Sequence, residues 1–325
     1  MSAAPDHHWE PTASIEHLRR RAAILSSIRD FFAARQVMEV DTQILSHCAV
    51  SDPFIDSIEA NFNLIGSDQM QSLYLQTSPE FAMKRLLAAG AGSIYQLGKV
   101  FRNGEVSPRH NPEFTMLEWY RIGFDHWQLM NEVEALVLSV LPDLTIRRIS
   151  YRDLFLNHLD IDPHQASVAQ LSRLCRAHID APFEDDDPDT WRNLLMSHLI
   201  EPALEEGVFV YGFPASQAAL ARVERDETGI EVATRFELFV DGLELANGYY
   251  ELTDAAEQAR RLAADQQQRE RLQLPQRPTE QRLVAALQQG LPECAGVALG
   301  VDRLVMLALG ASDIAQVIPF AFNRA

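Results

Sequence analysis

The chain has 325 residues, 28 Lys and Arg against 46 Asp and Glu, a net charge of −18 and 47% apolar residues. That composition is one of a soluble globular protein with room for one large core or two smaller ones, and it excludes a largely disordered chain. So strong a negative balance speaks against a broad nucleic-acid surface, whose affinity comes from Lys and Arg neutralising phosphates. Cys48, Cys175 and Cys294 form no CxxC pair, which suits packed thiols in a reducing compartment and no zinc site. No basic start runs into an apolar core at the N-terminus, and the most apolar stretch, Gly296 to Gly310, is broken by Asp302 and Arg303 and too short to span a bilayer. The expectation is a cytoplasmic protein without a membrane segment.

Residues 1–13 read as a flexible N-terminus. From Ser14, a plausible N-cap, Ile15, Leu18, Leu25, Ile28 and Phe32 recur at helical spacing and predict a helix to about Gln36, followed by a short strand over Val37 to Val40. A strand over Leu73 to Gln76 runs into Thr77-Ser78-Pro79-Glu80, where Ser78 can cap a helix that stops at Gly90. Ile94 to Phe101 and Phe114 to Tyr120 read as an antiparallel pair joined by the polar segment 102–112. The middle third, about 125–225, reads as helical and holds an acidic run from Glu184 to Asp189, most simply a solvated loop. Arg235 to Val240 and Leu243 to Ala246 form a hairpin on Asp241-Gly242, and a polar helix from about Thr253 to Gln268 follows.

The hairpin allows its geometry to be counted. A two-residue turn pairs Val240 with Leu243, Phe239 with Glu244 and Glu237 with Ala246, so Glu237 and Glu244 are diagonal neighbours on one face. Two carboxylates so placed suit a cation such as Mg²⁺ shared with substrate phosphates; the bland alternative is a solvated edge hairpin. Glu251 would join the same face if a bulge at Asn247-Gly248 restored the alternation. On the earlier strand, Glu118 and Tyr120 project together and suit an amine. Arg102, Arg109, His110 and Arg303 form the opposite charge set, and a guanidinium is suited to a polyphosphate or a purine. Neither a GxxxxGK[ST] nor a GxGxxG stretch occurs, so any nucleotide is held by another architecture.

Phe101-Arg102-Asn103, His110-Asn111-Pro112-Glu113-Phe114-Thr115-Met116-Leu117-Glu118-Trp119-Tyr120 and Gly300-Val301-Asp302-Arg303-Leu304 resemble motifs 2 and 3 of class II aminoacyl-tRNA synthetases. Glu244-Leu245-Ala246-Asn247-Gly248 with Glu251-Leu252 resembles the lysyl branch, and the likeness runs from about residue 14 to the C-terminus. Because the catalytic motifs begin almost at once, with no anticodon-binding domain before them, the chain is most similar to the stand-alone lysyl-tRNA synthetase paralogues that act on elongation factor P; the segment 214–218 fits them as well. The resemblance implies an α+β fold, with an antiparallel sheet flanked by helices, one catalytic domain over 14–325 and a mainly helical insertion at about 125–225.

It also implies a ligase that activates (R)-β-lysine with ATP and Mg²⁺ and passes it to a lysine side chain of elongation factor P, as a homodimer and without tRNA. Two other readings are a truncated enzyme acting on tRNA and a synthetase-like regulator without catalysis; the paired arginines and carboxylates speak against the second. By resemblance Arg102 binds the α-phosphate and Arg303 the γ-phosphate and adenine side, with Asn103, Gly104, Asn111, Glu244, Leu245 and Gly300 lining the ATP site. Glu237 and Glu244 correspond to the Mg²⁺ pair. Glu80 corresponds to the contact with the backbone-side amine, with Ser78 and Pro79 also in the substrate site, and Tyr120 and Glu251 correspond to the grip on the terminal ammonium, supported by Glu118 and Asn247. Gly104 stands where a glutamate usually contacts adenine, so either Glu105 shifts into that place or backbone atoms replace it. Ala298 stands where the lysyl enzymes have glycine, and its methyl should favour the shifted amine of β-lysine.

Overall fold

The computed structural model describes residues 9–66 and 68–325. In chain order it contains α1 (Ile15–Ala33), β1 (Met38–Glu39), β2 (Leu45–Ser46), β3 (Glu59–Asn63), β4 (Met70–Leu75), α2 (Glu80–Ala88), β5 (Ile94–Phe101) and β6 (Glu113–Ile122). Then come α3 (His126–Val140), β7 (Ile146–Ser150), α4 (Tyr151–Leu159), α5 (Val168–His178), α6 (Pro188–Leu195), β8 (Gly207–Pro214) and β9 (Val223–Arg225). The chain ends with β10 (Glu231–Val240), β11 (Leu243–Tyr250), α7 (Ala255–Arg271), α8 (Gln281–Gly290), β12 (Cys294–Gly300) and α9 (Val301–Leu309). Among the described residues no helix is long and apolar enough to cross a membrane.

The chain divides into two compact units. One comprises the residues up to Glu118 with Ala255–Gln289 and Gly300–Ala325; the other comprises Trp119–Asp254 and Gly290–Leu299. In the first, Ser14 caps α1 by accepting the amide of His17 at 3.1 Å, and Ile28 and Phe32 are fully buried. β1 pairs in parallel with β5, and β2, β4 and β3 form a separate antiparallel sheet. Of the N-terminal stretch expected to be flexible, residues 1–8 lie outside the described residues. Thr12 is tied down: its amide donates to the Pro319 carbonyl at 2.8 Å, its hydroxyl to the Ile318 carbonyl at 3.1 Å, and Ala321 donates back to the hydroxyl at 3.2 Å. Asp302 of α9 is buried, ion-paired with Arg21 of α1, and accepts the Thr115 amide at 2.8 Å, so the helix bearing Arg303 is pinned at its first turn.

The second unit is organised on the strands β12-β11-β10-β8-β7, with β9 on β10. Asp241 and Gly242 have φ of 49° and 68°, the two left-handed residues of a tight hairpin turn whose twist matches that of the flanking strands. The middle third is not helical throughout, since β7, β8 and β9 run through it. β8 has the sequence GVFVYGFP and pairs with β7 in parallel and β10 antiparallel. A strand covered on both faces is a continuous apolar run with no alternation to reveal it. Each unit thus mixes parallel and antiparallel pairing, β1–β5 being parallel in the first and β7–β8 in the second, and the α+β class stands. Helices α4 to α6 pack on β8 and β10 through Tyr151, Phe155, Leu171, Trp191, Val208, Val210 and Phe239. The acidic run anchors α6: Asp187 caps it, Asp185 takes the Thr190 hydroxyl at 2.7 Å and the Trp191 indole on its carbonyl at 2.9 Å, and Asp189 accepts Arg192 at 2.8 Å.

Candidate active site

In the first unit the polar segment after β5 is a closed loop. The Arg102 amide donates to the Pro112 carbonyl at 2.9 Å at its base, and Ser107 and His110 bridge each other near its tip. The Arg102 guanidinium lies 5.2 Å from the Phe114 ring centre and 3.9 Å from the Glu105 carboxylate, beyond hydrogen-bond reach, and its Nε is buried with no partner. A buried donor left unpaired costs about 1–3 kcal/mol, which an anionic oxygen would recover. Arg303 Nη2 lies 2.7 Å from His110 Nε2, and His110 Nδ1 lies 2.8 Å from the Ser107 hydroxyl. A guanidinium only donates, so Nε2 is the acceptor and the ring carries its proton on Nδ1. The motif 3 arginine is thereby docked on the motif 2 loop.

The other expected nucleotide residues divide. Gly300 caps α9, and Gly104 adopts φ 78°, which lets the exposed loop turn. Asn103 donates through both its amide and its side chain to Asp56. Asn111 is buried and its side chain is engaged in the fold, donating to the Glu113 carbonyl at 2.7 Å and accepting the Phe322 amide at 2.9 Å.

Around the start of α2, Ser78 donates to Glu118 at 2.7 Å and accepts the Glu80 amide at 3.0 Å, while Pro79 occupies the cap position. Glu118 is only 2% exposed, and Ser78 holds one of its carboxylate oxygens. A cavity lined by Ser46, Cys48, Gln76, Ser78, Glu80 and Glu280 opens beside them. Glu80 receives the ammonium of Lys84 at 2.7 Å, and Lys84 is fully buried. The sequence reading passed over Lys84, although its spacing of four from Glu80 on a helix was the available signal.

In the second unit the hairpin register departs from the two-residue count. Val240 pairs with Leu243 and Phe239 with Glu244, but Leu238 pairs with Ala246 and Glu237 with Asn247. Leu245 is the extra residue, so the bulge lies there and not at Asn247-Gly248. Its effect is the one anticipated, since Glu244, Asn247, Tyr249 and Glu251 now share the face of Glu237. Leu245 itself is buried. Glu237 is ion-paired with Arg235 and accepts Asn247 Nδ2 at 3.3 Å; Arg235 also donates to the Gln217 carbonyl at 2.9 Å and lies 4.7 Å from the Phe213 ring centre. Arg235, two residues before Glu237 and therefore on its face, was missed from the sequence. Burial, with the charge of Glu244 added, pushes the Glu237 carboxyl up to about 7 despite Arg235.

Asn247 Oδ1 is buried with no hydrogen-bond partner on this same face. With the Glu237 and Glu244 carboxylates it makes a set of hard oxygen donors, which fits Mg²⁺ chemistry. Among the described residues no group of three or more His, Cys, Asp or Glu could hold a metal by itself, so such an ion would lean on substrate oxygens. Ala298 pairs with Asn247 and Gly296 with Tyr249. Tyr120 and Glu251, at 2% and 1% exposure, converge over Gly296: a Cβ there would strike the Tyr120 ring and lie 2.5 Å from Glu251 Oε1.

The chain matches the family model of tRNA synthetases class II (D, K and N) over residues 9–324. It is 49% identical to the elongation factor P–(R)-β-lysine ligase of Yersinia enterocolitica over 322 residues, covering 98% of each chain. It is equally similar, at 49% identity and 98% coverage of both chains, to the ligases of the same name from Vibrio cholerae and Salmonella typhi.

Proposed function

The chain belongs to the class II tRNA synthetases of the D, K and N group, and from that membership we propose that it activates (R)-β-lysine with ATP and transfers it to the ε-amino group of a lysine of elongation factor P. It is a ligase. In the first step a carboxylate oxygen of β-lysine attacks the α-phosphorus, the bond from that phosphorus to the bridging oxygen breaks, and pyrophosphate leaves. Arg102 meets the charge that grows on the α-phosphate, using the Nε that is otherwise unpartnered, and Arg303 holds the γ-phosphate end from its seat on His110. Asn103, Gly104, Asn111, Leu245 and Gly300 frame the nucleotide. In the second step the neutral acceptor amine attacks the adenylate carbonyl, loses a proton, and AMP departs.

The dicationic amino acid is recognised by carboxylates. Tyr120 and Glu251 hold the terminal ammonium, Glu80 and Ser78 the second amine, and Glu118 and Asn247 fix their positions. Glu237 and Glu244 would hold Mg²⁺, which when bound would neutralise phosphate charge. The enzyme forms no covalent bond to substrate; its contribution is positioning and charge neutralisation. The acceptor is a protein and not tRNA, in keeping with the net charge of −18. By likeness to the family we further read it as a homodimer in the cytoplasm.

The observation that carries this reading is the 49% identity, over nearly the whole of both chains, to enzymes bearing that name. ATP–pyrophosphate exchange with (R)-β-lysine and with L-α-lysine tests it: exchange is expected to be faster with the β-isomer, and none with either would sink the proposal. Incubation with labelled amino acid should mark elongation factor P, and marking of tRNA instead would overturn the acceptor.

A further inference from the structure

The residue after Arg102 is gripped from an unexpected side. Asn103 donates its amide to the Asp56 carbonyl at 2.9 Å and its side chain to the Asp56 carboxylate at 2.8 Å. Asp56 lies in the connection between β2 and β3. Its other carboxylate oxygen meets Arg277 at 2.9 Å and Arg269 at 3.6 Å. The side chains of these two arginines are 9% and 2% exposed, against 36% for Asp56. Both arginines are themselves fixed. Arg269, in the last turn of α7, donates to the Pro275 and Asp52 carbonyls at 2.9 Å each, and Arg277 lies 5.3 Å from the Tyr74 ring centre and 3.3 Å from Glu59. A buried cation pair thus orients one carboxylate, and that carboxylate holds the Asn103 side chain, next in sequence to the Arg102–Pro112 bond at the base of the loop.

We propose that Asp56, set by Arg269 and Arg277, is a positioning residue for ATP: it fixes Asn103 and with it the backbone from which Arg102 projects. It need not touch substrate. The geometry separates its effect from that of the amino-acid residues: Asp56 engages Asn103, Arg277 and Arg269, whereas Glu80 engages Lys84 and Glu118 engages Ser78. The hydrogen bonds from Asn103 and Arg277 outweigh partial burial and keep its carboxyl below the usual range, so the charge is present at neutral pH.

The inference rests on Arg102 and Asn103 holding ATP, as in the proposed function. Its test is the ATP affinity of the full chain by calorimetry without amino acid, together with KM for ATP and for (R)-β-lysine in pyrophosphate exchange. For Asp56→Ala a loss of about five- to tenfold in ATP affinity is expected from one charge-assisted bond at a part-exposed site. KM for β-lysine should stay unchanged. Asp56→Asn, whose single side-chain oxygen cannot face both Asn103 and the arginine pair, should keep most of the loss, and Asn103→Ala should make the Asp56 substitution nearly silent. Unchanged ATP affinity in Asp56→Ala, or equal losses for both substrates, would overturn the inference. A wild-type chain that binds ATP but exchanges no pyrophosphate with β-lysine would count against the proposed function, while the calorimetric comparison would still decide the role of Asp56.

Discussion

Gly296→Ala is the sharpest steric probe of the amino-acid site. The added Cβ would lie closer than 3.0 Å to two atoms of the Tyr120 ring and to Glu251 Oε1. Neither neighbour can easily give way. Tyr120 is 2% exposed and Glu251 1% exposed, and the Glu251 backbone is held by Cys294 at 3.0 Å and by Arg222 at 2.8 Å. Overpacking of this kind costs about 1–3 kcal/mol of stability, and a shift of about 1 Å in positioning groups costs about a hundredfold in rate. The expected result is a fall of about a hundredfold in kcat/KM for (R)-β-lysine, with the melting temperature lower by a few degrees and ATP affinity within about threefold of wild type. Pyrophosphate exchange at varied β-lysine, calorimetry with ATP and thermal melting supply the three readings. Exchange within threefold of wild type would refute the claim that Tyr120 and Glu251 grip the ammonium over Gly296, and a parallel loss of ATP binding would point to a general collapse.

Further outcomes follow from the same geometry. Ala298 pairs with Asn247 on the carboxylate-bearing face, so Ala298→Gly should widen that spot and raise the relative use of L-α-lysine; an unchanged β-to-α ratio in exchange would contradict the steric account. Arg102→Leu removes the buried, unpartnered Nε and should lower exchange by about a hundredfold or more while the melting temperature holds or rises, since an unsatisfied donor is deleted. A marked drop in melting temperature would mean that Arg102 is structural. Glu257 is drawn down to about 2 by hydrogen bonds from Arg260 and then Arg261, with burial opposing them. Its folded value lies below its ordinary 4.5, so its contribution is present above that pH and is lost as the pH falls toward 2. Glu257→Gln should therefore lower the melting temperature slightly at pH 7 and not at pH 2, and a loss at pH 2 of equal size would exclude the ion pairs as its cause.

Much of the site was legible because its determinants are local or motif-borne. Ser14 caps α1 through an amide three residues away, and Asp241-Gly242 turns the hairpin with two left-handed residues, so both features follow from adjacent side chains and backbone preferences. Glu237, Glu244 and Glu251 share a face through period-two alternation and one bulge, while Arg102 and Arg303 stand in motifs that a reader of sequence can recognise. Where the reading slipped, the cause was non-local. The bulge fell on Leu245 because β11 must satisfy β10 on one side and β12 on the other, with Ala246 facing both Leu238 and Leu299. β8 escaped notice because burial on both faces erases the alternation that marks a strand.

Sequence by itself determined the chemistry available: a carboxylate-rich hairpin, two phosphate-seeking arginines, and the order of motifs that shows the family. Tertiary structure decided which partner restrains each of those groups. Lys84 against Glu80, Ser78 against Glu118, Arg235 against Glu237, and His110 beneath Arg303 are choices among many charges that the linear chain leaves equivalent. Asp56 and Arg277 make the point most plainly, since 221 positions separate them in sequence and a 2.9 Å bond joins them in the fold. A hydrogen bond or an ion pair acts over a few ångströms and has no periodicity to leave in a sequence, so only the folded chain assigns it.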